Sequence, residues 1–253
     1  MEIYILLFVL GAAFGSFYNV VALRLLKNES ILLPKSHCPK CQKSLKWYEL
    51  FPIFSYIFLR GKCHKCKSKI SIVYPLVELL TGLLFMASYY VFGFSYSFFI
   101  SLIISSVLVI TYVTDFMEFV ILDEVLLIGG ILIIIVLLIS TGLNSTILKI
   151  LHGGALFIIF YLFKLFGDKL FKKESLGGGD IKLAFLIGLV LGLKLGLFSV
   201  VIASFLAFPY AMIVSLFKKT KEIPFGPFLI TSLFVIYFKF NFFSDLFTRL
   251  FEW

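Results

Sequence analysis

Long apolar runs, broken by short polar stretches, make up most of this chain, and the runs set its architecture. A helix rises 1.5 Å per residue, so about 20 consecutive apolar residues cross a hydrocarbon layer. By that rule eight spans are predicted, over residues 3–26, 73–93, 97–114, 119–140, 146–166, 181–193, 195–217 and 225–240. The sixth is short, and only Lys194 separates it from the seventh. The first has no basic segment before it and is long enough to span, so it reads as a retained helix and not a cleaved signal. Residues 241–253 alternate aromatic and polar positions, a pattern for a helix lying in the membrane interface. The one long polar stretch falls between the first two spans. The pattern predicts an all-α polytopic membrane protein of about eight transmembrane helices. It falls into a first helix (1–26), a loop (27–72), a helical core (73–240) and an interfacial tail (241–253).

Composition agrees and excludes a soluble domain: 61% of residues are hydrophobic and 15% charged. The net charge of +9 says less than its distribution, and no nucleic-acid partner is expected. Nineteen of the 23 Lys and Arg fall on one side if the long loop is cytoplasmic, leaving Lys149, Lys194, Lys239 and Arg249 on the other. The positive-inside rule therefore places both termini outside. One inner loop departs from this bias. Residues 114–124 carry no basic residue but hold Asp115, Glu118, Asp123 and Glu124. Glu118 and Glu124 read first as solvated turn residues. Asp115 does not, because it directly follows the apolar run 102–113.

Topology gives Asp115 a partner. The third span runs inward and ends at Asp115, and the sixth runs outward from Gly177-Gly178-Gly179-Asp180. Both carboxylates therefore reach the inner edge of the membrane, although 65 residues separate them. Two carboxylates held close in a partly desolvated site share a proton and titrate as a pair. One then acts as general base on a water while the other polarises a carbonyl. The plain alternative is two helix-terminal Asp residues. The helix dipole favours that for Asp180 at an N-terminus and disfavours it for Asp115 at a C-terminus. Lys182, two positions on, lies on another face and reads as snorkelling to the cytoplasm or tuning the local field.

All four cysteines fall in the long loop, as Cys38-Pro-Lys-Cys41 and Cys63-His-Lys-Cys66. Paired CxxC knuckles at this separation suit a tetrahedral, structural Zn²⁺ site of four thiolates, with redox-active pairs as the alternative. His37 and His64 add nothing that four thiolates lack. Between the knuckles, the apolar stretch 47–59 is too short to span and suits a segment resting on membrane lipid.

Taken in order, these motifs resemble the bacterial type IV prepilin peptidases, the prepilin leader peptidase/N-methyltransferases. Gly15-Ser16-Phe17-Tyr18-Asn19 through Arg24-Leu25 is similar to that family's first-span motif. Pro34 to Pro39, Trp47-Tyr48 and Leu59-Arg60-Gly61 resemble its tetracysteine domain, and Tyr74-Pro75-Leu76-Val77-Glu78 follows. Asp115, with Asp123 after it, resembles the first catalytic segment. Gly177 to Asp180 with Lys182 resembles the GxGD segment shared with other intramembrane aspartyl proteases, and Pro224-Phe225-Gly226-Pro227-Phe228 completes the set. Leu122 departs from the pattern, standing where the family commonly has proline.

The resemblance implies Asp115 and Asp180 as the catalytic pair of a bacterial inner-membrane enzyme with its active site on the cytoplasmic side. The substrates it implies are prepilins or pseudopilins with a basic leader and an apolar N-terminal helix. Gly177, Gly179, Lys182, Asp123 and Glu118 are the expected substrate contacts. After cleavage the family methylates the new N-terminus with S-adenosylmethionine. No GxGxxG follows a strand here, so a donor site would be built from the loop and nearby helix ends. Gly15, Asn19, Arg24 and Glu78 are its candidates, with helix packing as the alternative role. A peptidase without methylation, an ion-coupled transporter and a non-catalytic zinc-ribbon scaffold are the competing readings. Both Asp residues lie at the membrane edge, not the midplane, which disfavours the transporter.

Overall fold

A computed structural model describes residues 1–217 and 223–251. Lys218, Lys219 and Lys221, counted above on the inner side, lie outside the described residues, as do the last two residues of the tail. Among the described residues there are helices and no strands: α1 (Glu2–Leu25), α2 (Phe54–Phe58), α3 (Val73–Phe92), α4 (Tyr96–Glu118), α5 (Asp123–Phe171), α6 (Gly178–Phe217), α7 (Gly226–Phe238) and α8 (Phe240–Phe251). The chain divides into two compact units, Met1–Phe94 and Ser95–Trp253. The sequence grouped α3 with the later spans; in the structure it belongs to the first unit.

In the first unit α1 and α3 meet through small residues. A Cβ on Gly11 would stand 2.9 Å from the Gly82 Cα, and one on Gly15 would stand 2.8 Å from the Glu78 Cα. Such approach replaces a hydrophobic driving force that lipid cannot supply. Asn19, 2% exposed, spans the contact by donating from Nδ2 to the Gly15 carbonyl at 3.2 Å and to the Tyr74 carbonyl at 3.3 Å.

In the second unit α4 is the most buried candidate span: 67% of its most apolar membrane-length stretch is buried, against 28% for α5. Ser95 caps its start, accepting the Phe98 N–H at 3.3 Å. α4 and α7 run antiparallel, tied by Tyr237 Oη donating to the Ser97 carbonyl at 3.2 Å and by a Tyr112–Thr231 hydroxyl pair at 2.8 Å.

Among the described residues five helices are long and apolar enough to cross a membrane, or six if α7 and α8, bent by 99°, form one span. The 49 residues of α5 would measure about 74 Å if straight, more than two membrane cores. They are not straight. Gly142 (φ 80°, ψ 174°) breaks α5, and Gly192 (φ 78°, ψ 178°) breaks α6, in a backbone region glycine enters without a Cβ penalty. At each break the chain doubles back. Gly130 and Gly153, on opposite sides of Gly142, pack against the adjacent residues Leu186 and Phe185. Gly196 likewise lies near Gly188 across Gly192, its built Cβ 3.7 Å from the Gly188 Cα. The fourth-to-seventh spans are therefore present as two broken helices. The sixth/seventh boundary sits at Gly192, and Lys194 lies within the continuing helix.

The described part of the tail is helical. α8 lays Phe243, Phe247 and Phe251 around Phe198 of α6, with ring centroids 6.4, 5.8 and 6.3 Å away.

Candidate active site and metal centre

Asp115 lies in the last turn of α4, where its carbonyl accepts the Phe119 N–H at 3.1 Å as the helix ends on a left-handed Phe119 (φ 55°). Residues 119–122 then connect to α5. Leu122 holds φ −72°, the angle a proline ring would fix, so this turn keeps its shape without the ring. Asp180 lies in the first turn of α6. Both carboxylates are buried, Asp115 at 5% and Asp180 at 9% exposure, and Asp180 lies within the electrostatic reach of Asp115. The Gly226 amide faces Asp115 and the Gly177 amide faces Asp180.

Ile121 organises the packing around them. A Cβ on Gly179 would stand 2.7 Å from the Ile121 Cβ. One on Gly226 would stand 2.6 Å from the Ile121 Cδ1 and 2.9 Å from Asp115 Oδ2. A single isoleucine thus sits between the two glycine segments that carry the carboxylates' neighbours. Gly177 borders the site directly, its built Cβ lying 3.1 Å from Asp180 Oδ2, whereas Gly178 faces open space. Sequence reasoning missed Ile121 entirely and gave Gly226 no role. For Gly226 the flanking Pro224 and Pro227 were a usable signal, and for Ile121 there was none.

One oxygen of each carboxylate, Asp115 Oδ2 and Asp180 Oδ1, is buried without a hydrogen-bond partner among the described residues. A buried, unsatisfied polar atom costs on the order of 1–3 kcal/mol, so two of them on neighbouring carboxylates need a chemical reason.

The substrate candidates divide. Lys182 does not simply extend to water: its Nζ pairs with Asp123 Oδ2 at 2.5 Å, joining the first turns of α6 and α5. Glu118 and Glu124 are exposed at the α4–α5 turn.

The first unit holds the remaining candidates. The Arg24 guanidinium donates to the carbonyls of Ser30 (2.9 Å), Ile31 (3.1 Å) and Pro34 (2.6 Å), closing the chain after α1. Glu78 Oε2 accepts the Ile53 N–H at 2.6 Å. With Gly15 and Asn19 in the α1–α3 contact, these four residues meet other parts of the protein.

The knuckles are near-copies. Antiparallel bridges pair His37 with Ser44 and Lys62 with Lys69, and left-handed turns fall at Gln42 (φ 56°) and Lys67 (φ 57°). The four sulfurs lie within 4.8 Å of one another, with Cys38–Cys66 at 3.8 Å and Cys41–Cys63 at 4.0 Å. Four thiolates at about 2.3 Å from a tetrahedral zinc stand about 3.8 Å apart, so the cluster fits. Amides from Cys41 and Lys40 lower the Cys38 thiol to about 6 against its burial. At Cys41 the Lys43 amide acts in that direction, but burial and the neighbouring sulfurs outweigh it and push the thiol up to about 11. Four thiolates this close need a cation. Lys43 also reaches Glu49 at 2.8 Å, tying the first knuckle to the 3-10 turn Trp47–Glu49.

The helices and the buried carboxylate pair define a polytopic membrane protein with hydrolase-like chemistry at a helix edge. The comparisons carry this further. Residues 9–92 match the Bacterial Peptidase A24 N-terminal domain, and residues 102–212 match the Type IV leader peptidase family. A prepilin leader peptidase/N-methyltransferase of Bacillus subtilis is 34% identical over 88% of each chain. One of Vibrio cholerae is 32% identical over 94% of this chain and 97% of its own. One of Myxococcus xanthus is 39% identical over 73% of this chain, a match that spans 55% of that longer protein. No solved structure shows significant similarity. The chain belongs to the type IV leader peptidase family.

Proposed function

We propose that this protein is a membrane aspartyl endopeptidase that removes the leader of prepilins or pseudopilins, with Asp115 and Asp180 as its catalytic pair. One observation carries the reading: two buried carboxylates from the ends of different helices, each with an oxygen that no described residue satisfies. In the proposed mechanism the ionised carboxylate takes a proton from a water as its oxygen attacks the scissile carbonyl. The protonated carboxyl donates to the carbonyl oxygen, and as the C–N bond breaks a proton passes to the departing amine.

The distribution of Lys and Arg supports an active site on the cytoplasmic side of a bacterial inner membrane. A basic leader would be drawn to Glu118 and Glu124, with Asp123 shared between the leader and Lys182. The four cysteines would hold a zinc ion that closes the loop as a structural staple.

The relatives' second named activity comes to this chain as N-methylation of the freed N-terminus, with S-adenosylmethionine as donor. Gly15, Asn19, Arg24 and Glu78 make their contacts within the protein, so they fit walls of that region better than direct ligands, and we assign no step to them.

Reconstituted protein should cleave a prepilin-like peptide, and Asp115→Asn and Asp180→Asn should each abolish cleavage. Wild-type rates in either variant would sink the mechanism. Neutralising Glu118, Asp123 and Glu124 together should weaken apparent affinity for a basic leader at low salt; unchanged affinity would remove the electrostatic part alone. Product mass with added S-adenosylmethionine decides the methylation.

A further inference from the structure

The loop that carries the knuckles also carries an exposed apolar face. On α2, Phe54, Ile57 and Phe58 are 53%, 62% and 82% exposed, and their i, i+3, i+4 spacing puts them on one side of the helix. Trp47 is 80% exposed just before it. Tyr56 faces elsewhere, towards the second knuckle, where its hydroxyl lies 2.9 Å from a Cβ built on Gly61. The segment therefore has a side that packs on the knuckle and a side that is left exposed within its own unit.

Its place along α3 is fixed by Glu78. α3 has 20 residues, so every 18-residue membrane-length stretch within it includes Glu78. That carboxylate, 7% exposed, accepts the Ile53 N–H that opens α2, about 7–8 Å along the axis from the start of α3. A loop gripped here is held against the end of a candidate membrane span. The grip also holds a strained backbone. Ile53 has φ 64° and ψ −53°, with the Phe54 N–H closing onto the Pro52 carbonyl at 2.6 Å. Positive φ is rare for a β-branched residue, and such strain persists only where the surroundings over-determine it.

Charge supports the same partner. Residues 27–72 hold ten Lys and Arg against two acids, Glu29 and Glu49, and Glu49 is taken by Lys43. Aromatic and aliphatic residues on one face with lysines around them is the pattern of a segment seated between acyl chains and anionic headgroups.

We propose that Trp47 and the α2 face form a membrane-inserted wedge, pinned to α3 by Glu78, that seats the metal-binding loop on an anionic lipid surface. The chain has two tryptophans, so Trp253→Phe leaves Trp47 as the sole indole reporter. This variant is reconstituted in phosphatidylglycerol-containing nanodiscs with acyl chains brominated near the headgroup. Trp47 emission should be blue-shifted, lost to the brominated lipid and protected from aqueous acrylamide. Adding Glu78→Ala should move all three readings towards water, while Glu78→Gln, which keeps an acceptor for Ile53, should hold them. Emission quenched by acrylamide and untouched by bromine would overturn the proposal. So would protection from both, which would mean that protein covers this face.

Discussion

The three glycines before Asp180 should differ sharply in their tolerance of a methyl group, for a reason the structure supplies. Gly178 faces open space, so Gly178→Ala adds a Cβ that meets nothing. Gly179→Ala places one 2.7 Å from the Ile121 Cβ, where carbon atoms settle at roughly 3.5–4.0 Å. Something must give by about 1 Å. Ile121 cannot supply it cheaply, because on its other side its Cδ1 already fills the space above Gly226. Overpacking of this kind costs about 1–3 kcal/mol. Expressed at the site, that is roughly a five- to 150-fold loss of cleavage rate.

The assay is single-turnover cleavage of a prepilin-like peptide by reconstituted wild type, Gly178→Ala, Gly179→Ala and the double variant Gly179→Ala with Ile121→Ala. The last removes the clashing atoms beyond Cβ and should recover part of the rate. Equal damage from Gly178→Ala and Gly179→Ala, with no recovery in the double variant, would refute the packing argument. It would favour the view that these glycines are needed for close approach of the substrate backbone.

Three further outcomes are expected. Purified protein should carry one zinc per chain by elemental analysis, and Cys63→Ser should lose it together with the protease resistance of residues 27–72. Burial pushes the Glu49 carboxyl up, but the Lys43 ammonium and the Lys46 amide outweigh it and hold its pKa below the ordinary 4.5. Its stabilisation of the loop is therefore fully present above about pH 4.5 and lost as pH falls through the depressed value, so limited proteolysis of the loop should rise in acid and Glu49→Gln should flatten that rise. Gly15→Ala should destabilise the α1–α3 pair by about 1–3 kcal/mol in thermal melts, because its Cβ meets the Glu78 backbone at 2.8 Å, whereas Gly154→Ala, with open space around it, should not.

The parts legible in the sequence are those encoded locally. Insertion energy is summed along a single helix, so hydropathy marks the spans. Knuckle geometry repeats within a few residues, so Cys38, Cys41, Cys63 and Cys66 announce a site. Asp115 and Asp180 stand out because each borders an apolar run where a charge is costly. The reversals at Gly142 and Gly192 were legible only approximately, as the span breaks at residues 141–145 and at Lys194. Backbone angles were needed to put each turn on its glycine.

What the tertiary structure decided has no fixed spacing in the chain. Ile121 reaches glycines 58 and 105 residues away, Lys182 finds Asp123 across 59, and Glu78 holds Ile53 across 25. Each contact depends on which helix faces meet, and that is a property of packing and not of any window of sequence. The sequence determined that this is a membrane protein with a sulfur cluster and two expensive carboxylates. Only the fold decided which atoms surround those carboxylates, because in lipid helices associate by close packing and polar contacts, and the shape that makes them fit exists only once they have met.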